Sequence, residues 1–398
     1  MKKKLLFLSM ATMLTTTIAM AGCTKGANSS SNGATVKIAS VSPLSGSQAA
    51  IGESIKNGAK LALTERSDEF KKLNINLQFS PQDDQADPKV GVSVAQKLIA
   101  DKDVLGVVGH YNSGVAIPSS EIYKNVNLAM VSPANTAVAV TERGYDDVNR
   151  ICTRDDVQGP VAADFALSDL SAKTAFVIHD KTTYGQGVAD EFKKRFADKG
   201  GTVAGYEGIT AGESDFSGVL NKVAQVKPDV VYFGGMYPEG SLIIKQMKEK
   251  NITAKFIGPD GMDSAEVVKI AGDSSKGIYY TTMAADVSLT EQGRAWAEKY
   301  KKQFGNQPEN YAIYGYDAMN VLLDGLKKAV QDNGNKKPTQ DQVTKAVRAI
   351  KGFKGVATTV TFNSKGDNED AVMFISQFKE AKYPPTVIKT ITAKDYLK

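Results

Sequence analysis

Four polar side chains, Ser113, Thr136, Asp155 and Asp260, are candidates for binding a small charged ligand. Ser113 opens a predicted helix, where a hydroxyl and free backbone N–H groups attract an anion such as a carboxylate. Asp155 and Asp260 supply negative charge, which must be paired when it is buried. Together these residues predict a zwitterion site. In it Ser113 and Thr136 hold a carboxylate, and Asp260, with Asp155 as a second candidate, holds an ammonium group.

Each of these residues also has an ordinary structural explanation. Serine is a preferred helix cap, so Ser113 alone would be interpreted as a cap, and Asp155 and Asp260 alone would be interpreted as turn residues. Apolar residues after strands usually pack into the core or its rim. As candidates to line a slot for the ligand's side chain we consider Ile51 in the first loop, Tyr111, Tyr184, Met236 and Tyr237.

Short β-rich runs alternate with amphipathic helices, and this alternation predicts how the candidates are positioned. The run VLGVVG at 104–109 is continuously apolar, as is typical of a strand buried on both faces. A second buried strand is predicted at 128–132. Parallel strands deliver the loops that follow them to one edge of a sheet, where open α/β sheets bind ligands. Tandem sets of βα units before and after Cys152 predict two doubly wound parallel sheets with right-handed crossovers.

Loops and later helices complete the predicted architecture. A polar loop at 42–52 is expected to precede a helix at 53–66. Long helices predicted at 291–304, 309–330 and 340–350 are too many for the second sheet, so we expect some of them to cover the first. The tail is predicted to form strands at 360–362, 371–378 and 386–390.

Enzyme motifs are absent from the sequence, which contains no G-x-S-x-G, H-E-x-x-H or P-loop pattern. Its two histidines, His110 and His179, each end a predicted strand and are interpreted as structural. A hydrolase that uses His179 is the remaining enzymatic hypothesis. Because histidines are few and there is no cysteine cluster, we expect neither a metal site nor a cofactor.

The N-terminus resembles the signal of a bacterial lipoprotein. Lys2–Lys4 precede the apolar segment Leu5–Met20, and the residues up to Cys23 resemble a lipobox. The resemblance implies that residues 1–22 are a signal peptide, that Cys23 is lipidated, and that 23–33 form a flexible tether to a bacterial membrane. A secretory signal cleaved elsewhere is the alternative.

Charge and cysteine content narrow the class of protein further. The formal net charge is +5, but three of the lysines lie in the signal, so the body is close to neutral and nucleic acid is not an expected partner. After residue 33 no apolar stretch reaches the ~20 residues of a membrane helix. Cys152 has no disulfide partner once Cys23 is lipidated. The length of the body predicts two domains.

Several segments of the body carry a resemblance to a known family. They are SPLSGSQAAIGESIKNGAKLA, VVGHYNSGVAIPSSEIY, MVSPANT, IHDKTTYGQGVA, GITAGESDFSGVL, YFGGMYPEG, FIGPDGMDS and YAIYGYDAMNVL. Through them the chain resembles the branched-chain amino-acid-binding proteins of ABC uptake systems, in the periplasmic-binding-protein superfamily with type I topology. The resemblance extends over nearly the whole body from about Val36 and is most specific from Ile178 to Gly261.

The resemblance implies an α/β fold of two Rossmann-like lobes joined by a hinge with three crossings. The crossings align near Arg154, Met283 and Phe374. Lobe 1 would then comprise residues 34–154 plus 283–374, and lobe 2 residues 155–282 plus 375–398. We expect a monomer that works with ABC permease subunits in the cytoplasmic membrane.

The resemblance also implies roles for the cleft residues. Ser113 and Thr136, with the backbone of Pro133 and Ala134, would hold the carboxylate of an α-amino acid, and Asp260 would hold its ammonium group. Asp155 and Tyr184 match further cleft positions. Lobe 2 would close over a ligand that is first bound on lobe 1.

Three departures from the best-known members leave the ligand's side chain open. Those members carry glutamate in place of Asp260, an aromatic residue in place of Ile51 and tyrosine in place of Met236. Leucine, isoleucine or valine is favoured. An amide, urea, another amino acid, or a sensory role on the same scaffold is the alternative.

Overall fold

Strands and helices alternate along the chain in the computed structural model, which describes residues 33–284 and 286–396. The strands are β1 Ala34–Ser42, β2 Ile75–Asp83, β3 Val104–Gly109, β4 Met130–Ser132, β5 Val148–Arg150, β6 Thr174–His179, β7 Thr202–Gly208, β8 Val230–Gly234, β9 Lys255–Gly258, β10 Tyr279–Thr282, β11 Phe353–Lys354, β12 Thr359–Val360, β13 Val372–Gln377 and β14 Thr386–Thr392. The helices are α1 Ala49–Lys71, α2 Pro88–Ala100, α3 Ser113–Lys124, α4 Asp155–Ser168, α5 Thr183–Asp198, α6 Ser217–Val226, α7 Tyr237–Glu249, α8 Glu266–Ala271, α9 Glu291–Phe304, α10 Asn310–Asp332 and α11 Gln340–Arg348.

The strands form two large sheets, one in each lobe. The first has the order β2-β1-β3-β4-β5 and is parallel throughout. The second has the order β14-β13-β10-β9-β8-β6-β7. The prediction of a doubly wound parallel sheet is confirmed for the first lobe. It is incomplete for the second, because β13 pairs with β10 in antiparallel orientation and β14 pairs with β13 in antiparallel orientation at the edge of the sheet.

The chain passes between the sheets three times. It leaves the first sheet after β5, returns after β10 to supply helices that cover the first sheet, and enters the second sheet again at β13. Phe374, which aligns with the third crossing, lies within β13. The short hairpin β11–β12 forms a separate two-stranded sheet.

Local capping signals set the starts of two helices. The side chain of Asp87 accepts hydrogen bonds from the backbone N–H of Lys89 and Val90 at the start of α2. Thr339 forms a capping box with Gln342 at the start of α11. In both cases a side-chain oxygen satisfies backbone donors that have no partner inside the helix.

The predicted loop at 42–52 is wrong at its end, because α1 begins at Ala49. Ile51 therefore lies in the first turn of a helix, not in a loop, and its side chain is fully buried. The predicted boundary was wrong because Gly52 was assigned to the loop, since glycine is unfavourable inside a helix. Gly52 is needed for close packing, since a Cβ atom there would lie 1.7 Å from the carbonyl oxygen of Pro43. Glycine at this position lets the preceding loop lie against the helix.

Helix α10 covers the first sheet, as expected, and packs unusually close to α1. A Cβ atom on Gly58 of α1 would lie 1.8 Å from the Ala312 carbonyl oxygen, and one on Gly315 of α10 would lie 2.3 Å from the Ile55 carbonyl oxygen. Reciprocal glycines thus bring the two backbones into direct contact. This contact fixes the N-terminal end of α10, which lies at the boundary between the lobes.

Two predicted features lie wholly or partly outside the described residues. The signal peptide, and the tether with Cys23 except for its last residue Gly33, precede the first described residue. Within residues 33–284 and 286–396, none of the helices has the length and apolar character needed to cross a membrane.

The α1–α10 contact generates a stability prediction. Gly58→Ala should lower the free energy of unfolding by about 1–3 kcal/mol or more, because the added methyl group overlaps a backbone carbonyl. The matched control is Gly218→Ala in α6, where nothing lies within 4 Å of the added atom. It should be neutral or stabilising by up to about 1 kcal/mol, from helix propensity alone. Urea unfolding of both variants measures the difference, and equal effects would refute the packing role of Gly58.

Candidate functional site

All the predicted ligand-binding residues follow the carboxyl end of a parallel strand. Tyr111 and Ser113 come after β3, the loop Pro133–Thr136 after β4, Asp155 after β5, Tyr184 after β6, Met236 after β8, Asp260 after β9 and Ile51 after β1. Carboxyl ends of parallel strands are where open α/β sheets bind ligands. The two sheets thus supply two sets of loops to the candidate site.

Ser113 does not cap its helix, so the structural alternative for this residue is wrong. Asn112 occupies the cap position of α3, without a side-chain capping bond. The Asn112 amide instead donates to Gln48 Oε1 at 2.8 Å. Ser113 Oγ accepts a hydrogen bond from the backbone N–H of Ala137 at 3.2 Å and is buried. The serine hydroxyl therefore joins the loop after β3 to the loop after β4.

The loop Pro133–Thr136 is held by hydrogen bonds to residues at the ends of β3 and β4. It contains one buried hydroxyl group, that of Thr136, for which no short hydrogen bond is found among the described residues. Ser132 Oγ accepts hydrogen bonds from the backbone N–H groups of Ala134 at 3.2 Å and Asn135 at 3.0 Å. The Asn135 amide donates to the His110 carbonyl oxygen at 2.8 Å. Thr136 is fully buried, and its Oγ1 has no hydrogen-bond partner within 3.5 Å in the described chain, although the hydroxyl lies close enough to Asp155 to lower the pKa of that carboxyl group. Burying a hydroxyl group without a hydrogen-bond partner costs free energy. A hydrogen bond from the Thr136 hydroxyl to a ligand would remove this cost.

Asp155 and Asp260 are connected through the side chain of Gln158. Asp155 Oδ1 accepts from Gln158 Nε2 at 3.2 Å. Gln158 Oε1 in turn accepts from the backbone N–H of Asp260 at 2.7 Å and from Thr281 Oγ1 at 2.9 Å. The second carboxyl oxygen of Asp155, Oδ2, is buried and has no partner among the described residues.

Both oxygens of the Asp260 carboxylate accept hydrogen bonds from tyrosines. The Tyr184 hydroxyl donates to Oδ1 at 2.5 Å, and the Tyr311 hydroxyl donates to Oδ2 at 2.7 Å. Tyr184 also accepts from the Gly261 N–H at 2.9 Å. A side chain at Gly261 would lie 2.6 Å from the Gly235 carbonyl oxygen, so only glycine allows this approach.

The carboxyl groups of Asp155 and Asp260 are only 1 % and 2 % exposed. Burial, together with the negative charge of Asp260, raises the pKa of Asp155 to about 8. Burial also raises the pKa of Asp260, against the hydrogen bonds from Tyr184 and Tyr311, which lower it. Neither carboxylate forms an ion pair with a described lysine, arginine or histidine. Arg150, whose positive charge lowers the pKa of Asp155, is itself paired with Asp367, with 2.7 Å between Nε and Oδ1.

The apolar candidates lie on both sides of the boundary between the lobes. The Tyr111 hydroxyl lies 3.4 Å from Met236 Sδ, and its ring contacts Tyr311 edge to face with 5.4 Å between the centroids. Ile51 belongs to the same buried cluster as Tyr111 and Ala134. The neighbouring Tyr237 donates a hydrogen bond to the Ser47 carbonyl oxygen at 2.5 Å. A loop of the first lobe thus contacts a helix start of the second.

Gln158 and Tyr311 are site residues that sequence reasoning missed. Gln158 lies three positions after Asp155, a spacing that places both side chains on one face of a helix, so this signal was available. Tyr311 begins one of the segments that carry the family resemblance, but its spacing gave no sign of a contact with Asp260, because it lies about fifty residues further along the chain and only the tertiary fold brings the two together. His110, by contrast, is structural, since its ring nitrogens bind Asp84 at 2.8 Å and the Tyr123 hydroxyl at 3.1 Å.

Known proteins share this arrangement of lobes and loops. A family model described as periplasmic binding protein matches residues 35–384. A Leu/Ile/Val-binding protein homolog from Brucella abortus is 38 % identical over 325 residues, which is 82 % of this chain and 85 % of that protein. The leucine-, isoleucine-, valine-, threonine- and alanine-binding protein of Pseudomonas aeruginosa is 34 % identical, over 84 % of this chain and 87 % of that protein.

A solved structure agrees with these relatives. A leucine-binding protein from Thermotoga maritima superposes with a TM-score of 0.83 at 26 % identity, covering 90 % of this chain and 99 % of that one. The resemblance inferred from the sequence is confirmed, both in family and in fold. This chain belongs to the periplasmic binding proteins, a family that binds solutes and does not catalyse reactions on them.

Proposed function

We propose that this protein captures an α-amino acid, with leucine, isoleucine or valine favoured, between its two lobes outside the cytoplasm and delivers it to an ABC permease. The observation that carries the proposal is the pair of buried carboxyl groups on Asp155 and Asp260, which have no cationic partner among the described residues. An ammonium group would neutralise them. The unpaired hydroxyl of Thr136 would complete the recognition of the ligand's carboxylate.

The proposed site divides the ligand between the lobes. Ser113, Thr136 and the backbone of Pro133 and Ala134 bind the carboxylate from lobe 1. Asp260 and Asp155 bind the ammonium group, and Tyr184 orients Asp260. The ligand's side chain lies against Tyr111, Met236 and Ile51. The Brucella and Pseudomonas relatives, which are named for aliphatic amino acids, support this choice of ligand.

Closure of the lobes follows from the same division of contacts. A ligand first bound through its carboxylate to lobe 1 gains the ammonium contacts only when lobe 2 closes. A ligand can shift such an equilibrium only by its difference in affinity for the two states. We propose that the lobes are residues 34–154 plus 283–374 and residues 155–282 plus 375–398, that the protein acts as a monomer, and that the closed form docks on the permease.

The charge of the site disfavours the alternative ligands on this scaffold. An amide or urea carries no ammonium group and would leave the two buried carboxyl groups without a positive partner. A site built around paired charges discriminates strongly against ligands that lack one of them. An α-amino acid therefore fits the described side chains better than either alternative.

Replacing the principal ammonium partner tests the proposal. Asp260→Asn should weaken leucine binding by about 2–5 kcal/mol, because the ammonium group loses its countercharge in a buried site. In the wild type, leucine at one hundred times its Kd should add about 2.7 kcal/mol to the free energy of unfolding. Calorimetry and thermal unfolding measure the two effects.

Asp317→Asn is the matched control. Asp317 is equally buried but accepts hydrogen bonds from the backbone of Val356, Ala357 and Thr358. Its replacement should lower stability and leave the Kd for leucine unchanged. An Asp260→Asn variant that binds leucine as tightly as the wild type would remove Asp260 from the site.

We also propose that Cys23 carries a lipid that holds the protein at the bacterial membrane. Two or more acyl chains anchor a protein stably, since each buried CH₂ contributes about 0.8 kcal/mol. Cys23→Ala should therefore shift the protein from the membrane fraction to the soluble fraction in its native host, and labelled fatty acid should no longer be incorporated. Membrane association that survives this substitution would contradict the anchor without affecting the assignment of the ligand.

A further inference from the structure

The first turn of α10 contacts the loop after β9 residue by residue. Three successive positions of one lobe each hydrogen-bond to this loop of the other lobe. The pairs are Ser264 Oγ to Glu309 Oε2 at 3.1 Å, Asn310 Nδ2 to both carboxyl oxygens of Asp263 at 3.1 Å, and the Tyr311 hydroxyl to Asp260 Oδ2 at 2.7 Å. The turn that carries Asp260 is thus held in a fixed register against α10.

In the closed arrangement of the lobes, Asp263 adds further hydrogen bonds to this contact. Besides Asn310, its fully buried carboxylate accepts hydrogen bonds from Thr282 at 2.5 Å, Tyr383 at 3.0 Å and Tyr280 at 3.1 Å. These donors come from β10, from the segment between β13 and β14, and from α10. At the other side of α10, the glycine contact with α1 prevents the helix from shifting. The backbone of Tyr311 is therefore placed by two independent sets of contacts.

The ring of Tyr311 directs its hydroxyl at Asp260, where it lies 2.7 Å from Oδ2 of the carboxylate and 3.2 Å from the main-chain carbonyl oxygen. The side chain is 2 % exposed and packs edge to face on Tyr111. Its hydroxyl binds Oδ2, while Tyr184, from the other lobe, binds Oδ1. A carboxylate offers about four lone-pair positions, so the two tyrosines fix its rotation and leave about half of its hydrogen-bonding capacity unused.

We propose that Tyr311 is a positioning residue for ligand recognition, which holds the Asp260 carboxylate from the opposite lobe in the orientation that an ammonium group requires. This inference rests on the proposed amino-acid function. It gives α10 of lobe 1 a part in binding the ammonium group, which is otherwise bound by residues of lobe 2 alone. Without the Tyr311 hydroxyl, Asp260 Oδ2 loses its donor, and the carboxylate is free to turn away from the ligand.

A conservative substitution with a matched control tests this role in the full chain. Tyr311→Phe should raise the Kd for leucine by about tenfold, the effect of one hydrogen bond to a charged group. Tyr314→Phe is the control, because its buried hydroxyl lies one helical turn further along α10 and donates to the Met283 carbonyl oxygen instead of Asp260. It should destabilise the fold to a similar degree and leave the Kd for leucine unchanged.

A double-mutant cycle separates positioning from a general structural effect. In an Asp260→Asn background, Tyr311→Phe should change the Kd for leucine by less than about twofold, since contacting residues that act as a unit are not additive. Additive losses, or an unchanged Kd in Tyr311→Phe alone, would overturn the proposal.

The four proteins of the cycle are the wild type, Asp260→Asn, Tyr311→Phe and the double variant. Their free energies of unfolding in urea without ligand give a second measurement that does not depend on the choice of ligand. A wild type that binds none of the amino acids would refute the proposed function. In that case coupling between positions 260 and 311 in the free energy of unfolding would still support the hydrogen bond, and its absence would refute the positioning role.

Discussion

Burial of the Asp155 and Asp260 carboxyl groups without a cationic side chain is the constraint on which the rest of the site depends. Removing a carboxylate from water is expensive unless it is paired, and an unpaired one responds by holding a proton. The pKa of Asp155 is accordingly raised to about 8, well above its ordinary 3.8. Between these values the folded, ligand-free protein keeps a proton that the unfolded chain has released. Its free energy of unfolding therefore falls as the pH rises through this range.

The fold surrounds the two buried carboxyl groups with neutral hydrogen-bonding groups, which lower the free-energy cost of burying them. Parallel strands end at one edge of each sheet, so loops distant in sequence supply the two carboxyl groups, the bridging amide of Gln158 and the tyrosine hydroxyls. None of these neighbours of the carboxyl groups carries a positive charge. They orient Asp155 and Asp260 but supply no countercharge, so an incoming ammonium group would favour release of the proton that burial keeps on Asp155.

Local patterns predicted much of the fold because the physical causes are themselves local. The continuous apolar run of β3 lies where the sequence analysis places it, and the caps at Asp87 and Thr339 likewise act within a few residues. The start of α1 was missed because Gln48 makes no capping bond and because Gly52 serves tertiary packing. The three-residue strand β5 is too short to show a period.

The residues of the candidate site likewise fall into two groups: those that local sequence patterns identify and those that only the tertiary fold brings together. The hydroxyl and carboxyl residues could be found because each follows a predicted strand, and the topology of an α/β sheet then brings them together. The family resemblance added their roles toward a ligand, and these roles remain proposals. Tyr311 could not be found, because its contact with Asp260 depends on how α10 of one lobe lies against a loop of the other. Side chains that join two lobes leave little trace in sequence spacing.

Calorimetric titration with leucine and two truncated analogues tests the central claim most directly. Isopentylamine keeps the ammonium group and lacks the carboxylate, and 4-methylpentanoate keeps the carboxylate and lacks the ammonium group. The account predicts that leucine binds and that 4-methylpentanoate loses at least about 2 kcal/mol of binding free energy, because the buried carboxyl groups remain without a cation. Isopentylamine should also bind more weakly than leucine. Binding of 4-methylpentanoate as tightly as leucine would contradict the account.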